Sequence, residues 1–496
     1  MATLPEGNFA GCLAGRLGRH SYLIDAATGL TVEPGAVPGL IAGYGAAFLA
    51  AGLQAGDRIL IASPLSPQSC LAYLGAIYAG LVAVPVEERS IAASGASLVQ
   101  ATDAKAIWIE QKPTFEWLRQ FPTLLCLHGD LTEGKPQPMT AVARKDSDLA
   151  ALMATSGSTG VPRFVMVTHG NLRANTEAIA RSQGLQHDER AMLVLPISYC
   201  FGASVVHTHL WHGGGVVFDR RFMFPDKVVQ AMVQHRCTSF AGVPTAYNVL
   251  VERSKIRATP LPSLRRLLQA GGALARPVIE EIRRAVPGVQ FYVMYGQTEA
   301  TARITCLDPS RLDDKAGSVG RPLDNLTVRI QNEHGEELPQ GQTGEIWVKG
   351  PSVCAGYLND TTENESVFIN GWLRTRDLGR LDEDGFLWVQ GRLGAFAKMR
   401  GLRVSFAEVE AKVASLPGVM ECAAHAVPHP EAGEALVLLV VPRAGTQPVW
   451  EEMRRSLPAH WMFDSARFVG ELPKTANGKL SRAALAQQLK AANGPA

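Results

Sequence analysis

Chemistry first shows in the run Ala154-Thr155-Ser156-Gly157-Ser158-Thr159-Gly160-Val161-Pro162-Arg163, which follows the apolar stretch Leu149 to Ala154. Glycine lets a backbone approach an anion closely and turn its amides inward, hydroxyls add donors, and Arg163 supplies a cation. The run reads as a phosphate-gripping loop, and its cargo as a nucleotide triphosphate. It is not a Walker A motif: G-x-x-x-x-G-K-[ST] finds no match, and Phe164-Val165-Met166-Val167 behind the loop reads as a strand rather than a helix. No G-x-G-x-x-G follows a strand either. A plain surface loop can share this composition, so the reading depends on company further along the chain.

Five further segments supply it. In order they are Gly271-Gly272-Ala273, Tyr295-Gly296-Gln297-Thr298-Glu299, Thr375-Arg376-Asp377, Gly391-Arg392 with Lys398-Met399-Arg400-Gly401-Leu402-Arg403, and Pro473-Lys474-Thr475-Ala476-Asn477-Gly478-Lys479. With the loop they resemble the adenylate-forming superfamily of acyl-CoA synthetases, peptide-synthetase adenylation domains and luciferases, over about residues 40 to 485. The resemblance implies two half-reactions: a carboxylate attacks the α-phosphorus of ATP and expels pyrophosphate, and a thiol then captures the acyl-adenylate. Negative charge gathers on oxygens around the α-phosphorus, so the first half needs fixed donors, a divalent metal and a positioned cation.

Residue by residue, the resemblance implies that Thr155, Ser156, Gly157, Ser158, Thr159 and Gly160 hold the β- and γ-phosphates. Thr298 would bond the α-phosphate and Glu299 would anchor Mg²⁺; Gly271, Gly272, Ala273 and Tyr295, with Gly296 and Gln297 in the same motif, would enclose adenine. Asp377 would accept the ribose hydroxyls with help from Arg392, and Lys479 would bridge the substrate carboxylate and the α-phosphate. A swing of the C-terminal domain about Gly394 would exchange Lys479 for the Lys398 to Arg403 loop, with the pantetheine arm entering beside Gly401. Thr298-Glu299 taken alone also reads as an ordinary helix cap with an acidic first turn.

Two departures from the family pattern stand out. Pro162-Arg163-Phe164 replaces Pro-Lys-Gly, which keeps a positive charge, so phosphate contact at Arg163 is expected to survive. Thr375-Arg376-Asp377 replaces Thr-Gly-Asp and keeps the ribose carboxylate.

Pro196-Ile197-Ser198-Tyr199-Cys200-Phe201-Gly202 resembles the Pro-Leu-x-His-x-x-Gly segment of acyl- and aryl-CoA ligases, with Tyr199 at the histidine. Tyr199, Phe201, Gly202, Val243, Ala270 and Met294 are the expected pocket residues, giving a mainly apolar site for a fatty or aryl acid. Amino-acid-activating relatives hold the α-ammonium with the aspartate of Phe-Asp-x-Ser, and Phe201-Gly202-Ala203-Ser204 offers none. The expected function is ATP-dependent activation of a carboxylic acid and transfer to the phosphopantetheine thiol of CoA or of a separate acyl carrier protein. A stand-alone amino-acid adenylation enzyme and a non-catalytic adenylate-binding regulatory protein are the alternatives.

These segments need a scaffold. Uncharged apolar runs such as Ala106 to Ile109, Ala191 to Leu195 and Gly215 to Phe218 alternate with helical stretches such as Asp226 to His235 and Arg276 to Val286, the pattern of α/β layers on largely parallel sheets. From about Ser318 to Gly391 short period-two runs separated by turn residues predict a small antiparallel β unit. The final stretch mixes helix (Phe406 to Ser415), strand (Ala435 to Val441) and helix (Trp450 to Leu457), and the tail from Gln487 reads as frayed. The expected fold is therefore α/β: a large N-terminal domain of two α/β sheet subdomains plus a small β-barrel-like subdomain, then a small mobile α+β C-terminal domain. The adenylation core would cover residues 1–392 and the mobile domain, with the catalytic lysine, residues 393–496.

Composition narrows the partners. The 496 residues carry 48 Lys plus Arg against 46 Asp plus Glu, and a net charge of +2 leaves no electrostatic footprint for nucleic acid or an acidic membrane. Eight cysteines without a C-x-x-C pair, mostly among apolar neighbours as at Cys126, read as free buried thiols in a reducing compartment. His207 and His209 read as strand residues, with no carboxylate nearby to suggest a metal. The N-terminus has no charged leader followed by an apolar stretch, and the expected location is cytoplasmic. Residues 59 to 86 are uncharged up to Val86, but Pro64, Pro67, Gly75, Gly80 and Pro85 break them into strand (Arg58 to Ala62), buried helix (Pro67 to Ala79) and strand (Leu81 to Val86).

Overall fold

The structure, a computed structural model, describes residues 7–62, 64–133, 138–155, 163–399, 402–429, 433–475 and 480–491. Its first sheet has six strands in the order Leu125–His128, Ala106–Ile109, Arg58–Ala62, Val82–Val86, Leu149–Ala154 and Phe164–Thr168, parallel except for the last pair. Both faces of this sheet are covered. Ile59 and Ile61 enter the main core while Leu60 and Ala62 enter a second cluster with Val84, Ile107 and Leu152, which is why these strands read as unbroken apolar runs.

A second, nine-stranded sheet runs Arg321–Pro322, Thr305–Leu307, Gln290–Tyr295, Arg266–Gln269, Ser239–Gly242, Arg190–Leu193, Gly215–Phe218, Leu23–Asp25 and Thr31–Val32. Its six central strands are mutually parallel. Helix Pro67–Tyr78, opened by a reciprocal Ser66–Ser69 capping box with Pro67 in its first turn, packs into the shared core, as the sequence leads one to expect. The expected small β unit is a five-stranded antiparallel sheet in which Trp372–Leu381 pairs with Gly344–Lys349, Phe368–Ile369 and Leu387–Arg392.

Residues from 396 onward build a fourth sheet with its own cores. On strand Gly433–Pro442 the side chains of Leu436, Leu438 and Val440 face Val409, Val413 and Trp461, while Val437, Leu439 and Val441 face Leu472, Leu485 and Leu489. Period-two alternation thus feeds two apolar layers. Helix Arg482–Ala491 buries Leu485 and Leu489 in the second layer, so the tail expected to fray from Gln487 is helical to Ala491. Among the described residues no helix is long and apolar enough to cross a membrane.

Two other expectations need correction. Cys126 is exposed, on an edge strand whose residues alternate between half-buried and exposed; all eight cysteines are free. His207 and His209 lie on helix Cys200–Trp211, not on a strand, and every residue of that helix is buried, so no polar stripe marks its period.

Three buried histidines are held neutral by burial. His169 accepts the Phe9 amide at Nδ1 (3.0 Å), His207 Nε2 lies 3.1 Å from the Tyr73 hydroxyl, and His209 bridges the Val205 carbonyl and the Ser239 hydroxyl, each at 2.9 Å. Burial pulls His169 and His209 down to about 4 and His207 to about 3, against an ordinary 6.5. The unfolded chain therefore takes up these protons first, and their contribution to stability, complete above about pH 6.5, is lost as pH falls toward the folded values. Replacing His207 by Gln removes one such proton, so urea unfolding between pH 5 and 6 should show the wild-type slope flattened by roughly 1.4 kcal/mol per pH unit.

Candidate active site

Parallel strands deliver loops at one edge of their sheet, and here the chemistry-bearing segments leave from carboxyl ends. Strand Arg266–Gln269 runs into Ala270-Gly271-Gly272-Ala273, and its partner Gln290–Tyr295 runs into Gly296-Gln297-Thr298-Glu299. Register pairs Gln269 with Val293, so the two motifs emerge side by side. Gln269 donates from Nε2 to the Gly272 carbonyl at 2.8 Å and fixes the first turn. In the second, a Cβ on Gly296 would sit 2.0 Å from the Ala302 carbonyl oxygen, so only glycine lets the chain double back against Ala302-Arg303. Thr298–Ala300 forms a single 3₁₀ turn, and Thr301 follows at φ +65° with its hydroxyl donating to the Ser352 carbonyl.

The antiparallel sheet meets this edge from the other side. Asp377 and Arg392 are cross-strand partners, with Arg392 Nε 4.0 Å from Asp377 Oδ1, and the Tyr295 hydroxyl donates to Asp377 Oδ2 at 2.6 Å. Burial, then the Asp377 charge, pushes the Tyr295 phenol well above its usual range, so it stays protonated and the bond persists at all working pH. Glu299 accepts at Oε1 from the Tyr357 hydroxyl at 2.7 Å. The Thr298 hydroxyl lies 3.4 Å from the sulfur of Cys200, in the first turn of helix Cys200–Trp211. Three separated motifs and the pocket segment thus converge.

Between strands Leu149–Ala154 and Phe164–Thr168 the glycine-rich loop is closed at its neck by the Thr155 amide donating to the Arg163 carbonyl at 2.9 Å. Residues 156–162 lie outside the described residues. Arg163, expected as a phosphate cation, is engaged instead with two carboxylates: Nη1 with Glu363 Oε1 at 2.8 Å and Nε with Asp360 Oδ2 at 3.1 Å. Asp360 caps helix Thr361–Val367, whose first turn carries Glu363, so the pair is built into that helix terminus. Phosphate contact at Arg163 would require exchanging one of these partners.

No group of three or more His, Cys, Asp or Glu side chains able to cage a metal occurs among the described residues. A single carboxylate, Glu299, on the turn beside Thr298 suits Mg²⁺, which binds through one or two carboxylates with nucleotide phosphates and water supplying the rest.

Comparison with known proteins matches residues 41–358 to the AMP-binding enzyme family and residues 408–479 to the AMP-binding enzyme C-terminal domain. The chain belongs to the AMP-binding enzyme family. It is 33% identical over 449 residues to a feruloyl-CoA synthase of Amycolatopsis sp, covering 87% of this chain and 88% of that protein. Among solved structures, ATP-bound MatB from Rhodopseudomonas palustris superposes with a TM-score of 0.86 at 26% identity, covering 97% of this chain and 99% of the other. The o-succinylbenzoate CoA synthetase from Bacillus subtilis, in complex with the acyl-adenylate intermediate OSB-AMP, superposes with a TM-score of 0.84 at 26% identity, covering 97% and 98%. This AMP-binding enzyme is an AMP-forming acid–thiol ligase that uses ATP to activate a carboxylic acid and CoA as thiol acceptor.

Of the expected pocket residues, Tyr199, Phe201, Val243, Ala270 and Met294 are all buried, and the Tyr199 and Phe201 rings meet edge to face at 6.3 Å. Met294 alternates with Tyr295 and turns toward helix His169–Gln183, where its sulfur accepts from Gln183 Nε2 at 3.3 Å. At Gly202 a Cβ would lie 2.2 Å from the Pro196 carbonyl oxygen, so glycine lets the helix pack closely on the loop before it. Gly394 sits at φ +82° with nothing within 4 Å of an added Cβ, and Lys398 lies on strand Phe396–Met399 with its amide bonded to the Glu434 carboxylate. Gly401 and Lys479 lie outside the described residues.

Sequence reasoning missed Tyr357, Glu363 and Arg303. Nothing local marks the first two, whose partners are 58 and 200 residues away. Arg303 left a signal, a lone charge between Ala302 and Ile304 just after the Thr298-Glu299 turn.

Arg376, where this AMP-binding enzyme lacks the usual glycine, holds φ +60°, donates from Nη1 to the same Glu363 Oε1 at 2.8 Å and from Nη2 to Ser366 Oγ at 3.1 Å. A left-handed non-glycine residue costs roughly 1–2 kcal/mol, which a half-exposed ion pair offsets by about 0–1 kcal/mol. Arg376→Ala keeps the backbone strain and loses the pair, whereas Arg376→Gly loses both. Urea denaturation should therefore find the Gly variant more stable than the Ala variant by about 1 kcal/mol.

Proposed function

We propose that the converging turns form one adenylation site for an aryl acid. The observation that carries this reading is the meeting of Tyr295, Asp377 and Arg392 on one side of the Thr298-Glu299 turn with Cys200 and the aromatic segment on the other. Ribose hydroxyls would be accepted by Asp377, with Tyr295 and Gly271 to Ala273 enclosing adenine. Thr298 would donate to the α-phosphate, Glu299 would hold Mg²⁺, which neutralises phosphate charge when bound, and the loop Thr155 to Gly160 would hold the outer phosphates. The edge-to-face pair Tyr199–Phe201 offers an aromatic wall to the acid. The named activities of relatives, feruloyl-CoA synthase and 2-succinylbenzoate–CoA ligase, both concern acids with an aromatic ring and support that class.

Lys479 would neutralise charge between the acid and the α-phosphate, and the domain over residues 393–496 would then turn about Gly394 to bring Lys398 and the Gly401 turn to the thiol arm. CoA suffices as acceptor; a separate carrier protein bearing the same arm would enter by the same route. Free cysteines throughout fit a cytoplasmic setting.

ATP–pyrophosphate exchange with Mg²⁺ across aryl, fatty, hydroxy and amino acids tests the substrate class, and aryl acids should give the strongest response. Lys479→Ala should lower adenylation by on the order of 10²- to 10⁴-fold while capture of a supplied acyl-adenylate by CoA survives. Equal loss in both half-reactions would overturn the assignment of Lys479.

A further inference from the structure

Among the described residues, the buried arginines follow a rule with one exception. Arg173, 2% exposed, is paired with Asp146, and Arg266, 8% exposed, is paired with Glu189 and also donates to the Gln183 and Gly184 carbonyls. Arg303 is also 2% exposed, yet no carboxylate pairs with it among the described residues and its Nε has no hydrogen-bond partner. Its guanidinium lies over the Phe201 ring, 4.6 Å from the centroid. The titratable groups that face it are the Cys306 and Cys200 thiols and the Tyr199 phenol, and burial pulls the arginine's own pKa down. A buried charge with no counter-charge is costly, and a ring face returns only part of that cost.

Its position is fixed rather than accidental. The buried Asn175 side chain donates to the Arg303 carbonyl at 2.9 Å and accepts the Arg303 amide at 3.3 Å, and the doubling back at Gly296 presses Arg303 into the sheet edge. Phe201 is its contact, Cys200 is the next residue, and Cys200 touches Thr298. Arg303 therefore sits on the acid side of the reaction centre, at the aromatic wall.

We propose that Arg303 receives a second carboxylate on the acid substrate, so that this enzyme activates one end of an aryl dicarboxylate while the guanidinium fork holds the other. The inference rests on the aryl-acid ligase reading and narrows it. A planar fork accepts a carboxylate through two parallel hydrogen bonds, and the incoming anion supplies the counter-charge that the fold omits. The same cation opposes an α-ammonium group in this pocket.

The test compares benzoate and cinnamate with their ring-carboxylated counterparts, with 4-hydroxybenzoate as the neutral polar control. Binding to the full-length protein is read by calorimetry in the presence of AMP, and activity by pyrophosphate exchange. At least one diacid should bind ten-fold or more tighter than its monoacid. Arg303→Leu should lower the diacid-to-monoacid ratio of kcat/KM by on the order of 10²-fold, chiefly through KM, and Arg303→Lys should restore part of it. The KM for ATP serves as the fold and nucleotide-site readout. Equal binding of every diacid and monoacid to wild type, a hydroxyl serving as well as a carboxylate, or Arg303→Leu losing both acids in proportion would overturn the proposal and leave Arg303 as a prop for Phe201. Tight diacid binding without any exchange would support Arg303 as the anion site and count against the ligase reading instead.

Discussion

The Tyr295 phenol donates to the Asp377 carboxylate at 2.6 Å, and that bond ties the end of a parallel strand to an antiparallel sheet formed some eighty residues later in the chain. Both partners come from elements that share one apolar core: Tyr295 ends a central strand of the nine-stranded sheet, and Asp377 sits beside Arg392 in a ladder of backbone bonds. Because burial and the neighbouring charge keep the phenol protonated, the contact needs no titration to persist. A half-buried hydrogen bond to a charged acceptor contributes about 1.5–3 kcal/mol, enough to fix a side-chain position but small against the apolar core that both sheets share. It sets where the carboxylate proposed to hold the ribose stands relative to the Thr298-Glu299 turn.

Glu363 plays the corresponding part beside the neck of the glycine-rich loop. Taken along the sequence, Arg163 and Arg376 are two unrelated departures from a family pattern, 213 residues apart. In space one carboxylate oxygen accepts from both, at 2.8 Å each. The helix terminus capped by Asp360 presents that carboxylate, and the glycine-rich loop's last cation is thereby joined to the strand that carries Asp377. A substitution that places arginine at φ +60° is tolerated because its side chain finds a partner already in place.

How far the sequence could be read depended on whether a signal was local. Buried parallel strands such as Arg58–Ala62 and Gly215–Phe218 announce themselves as apolar runs, and Gly296, where a Cβ would strike the Ala302 carbonyl, and Gly271, at φ +88°, mark turns that favour glycine. Helix Cys200–Trp211 carries no such mark because it is buried all round, and so His207 and His209 read as strand residues. Gly202 read as pocket because the motif around it is a pocket motif, and the distance to the Pro196 carbonyl shows why glycine stands there. Long-range pairs leave no trace in a single chain: Arg163 keeps its charge on the page while the structure shows that charge engaged. Arg303 is the converse, a residue whose meaning lies in the counter-charge it lacks among the described residues.

The contacts between the C-terminal sheet and the body bear on how the proposed swing could occur without unfolding either part. They include the Arg443 guanidinium against Glu252 and Glu281, at 2.9 and 3.3 Å, and Asn248 donating to Glu421 at 3.1 Å, while Glu421 also pairs with Lys474 of its own domain. The apolar clusters are separate: one core ends at Leu387 and the others begin at Ala397. Partly exposed ion pairs exchange for water at a cost of about 0–1 kcal/mol each, whereas separating a shared apolar core would expose large area. An interface of this composition favours relative motion of its two sides. Gly394, free of neighbours at φ +82°, is where the backbone can take up the rotation.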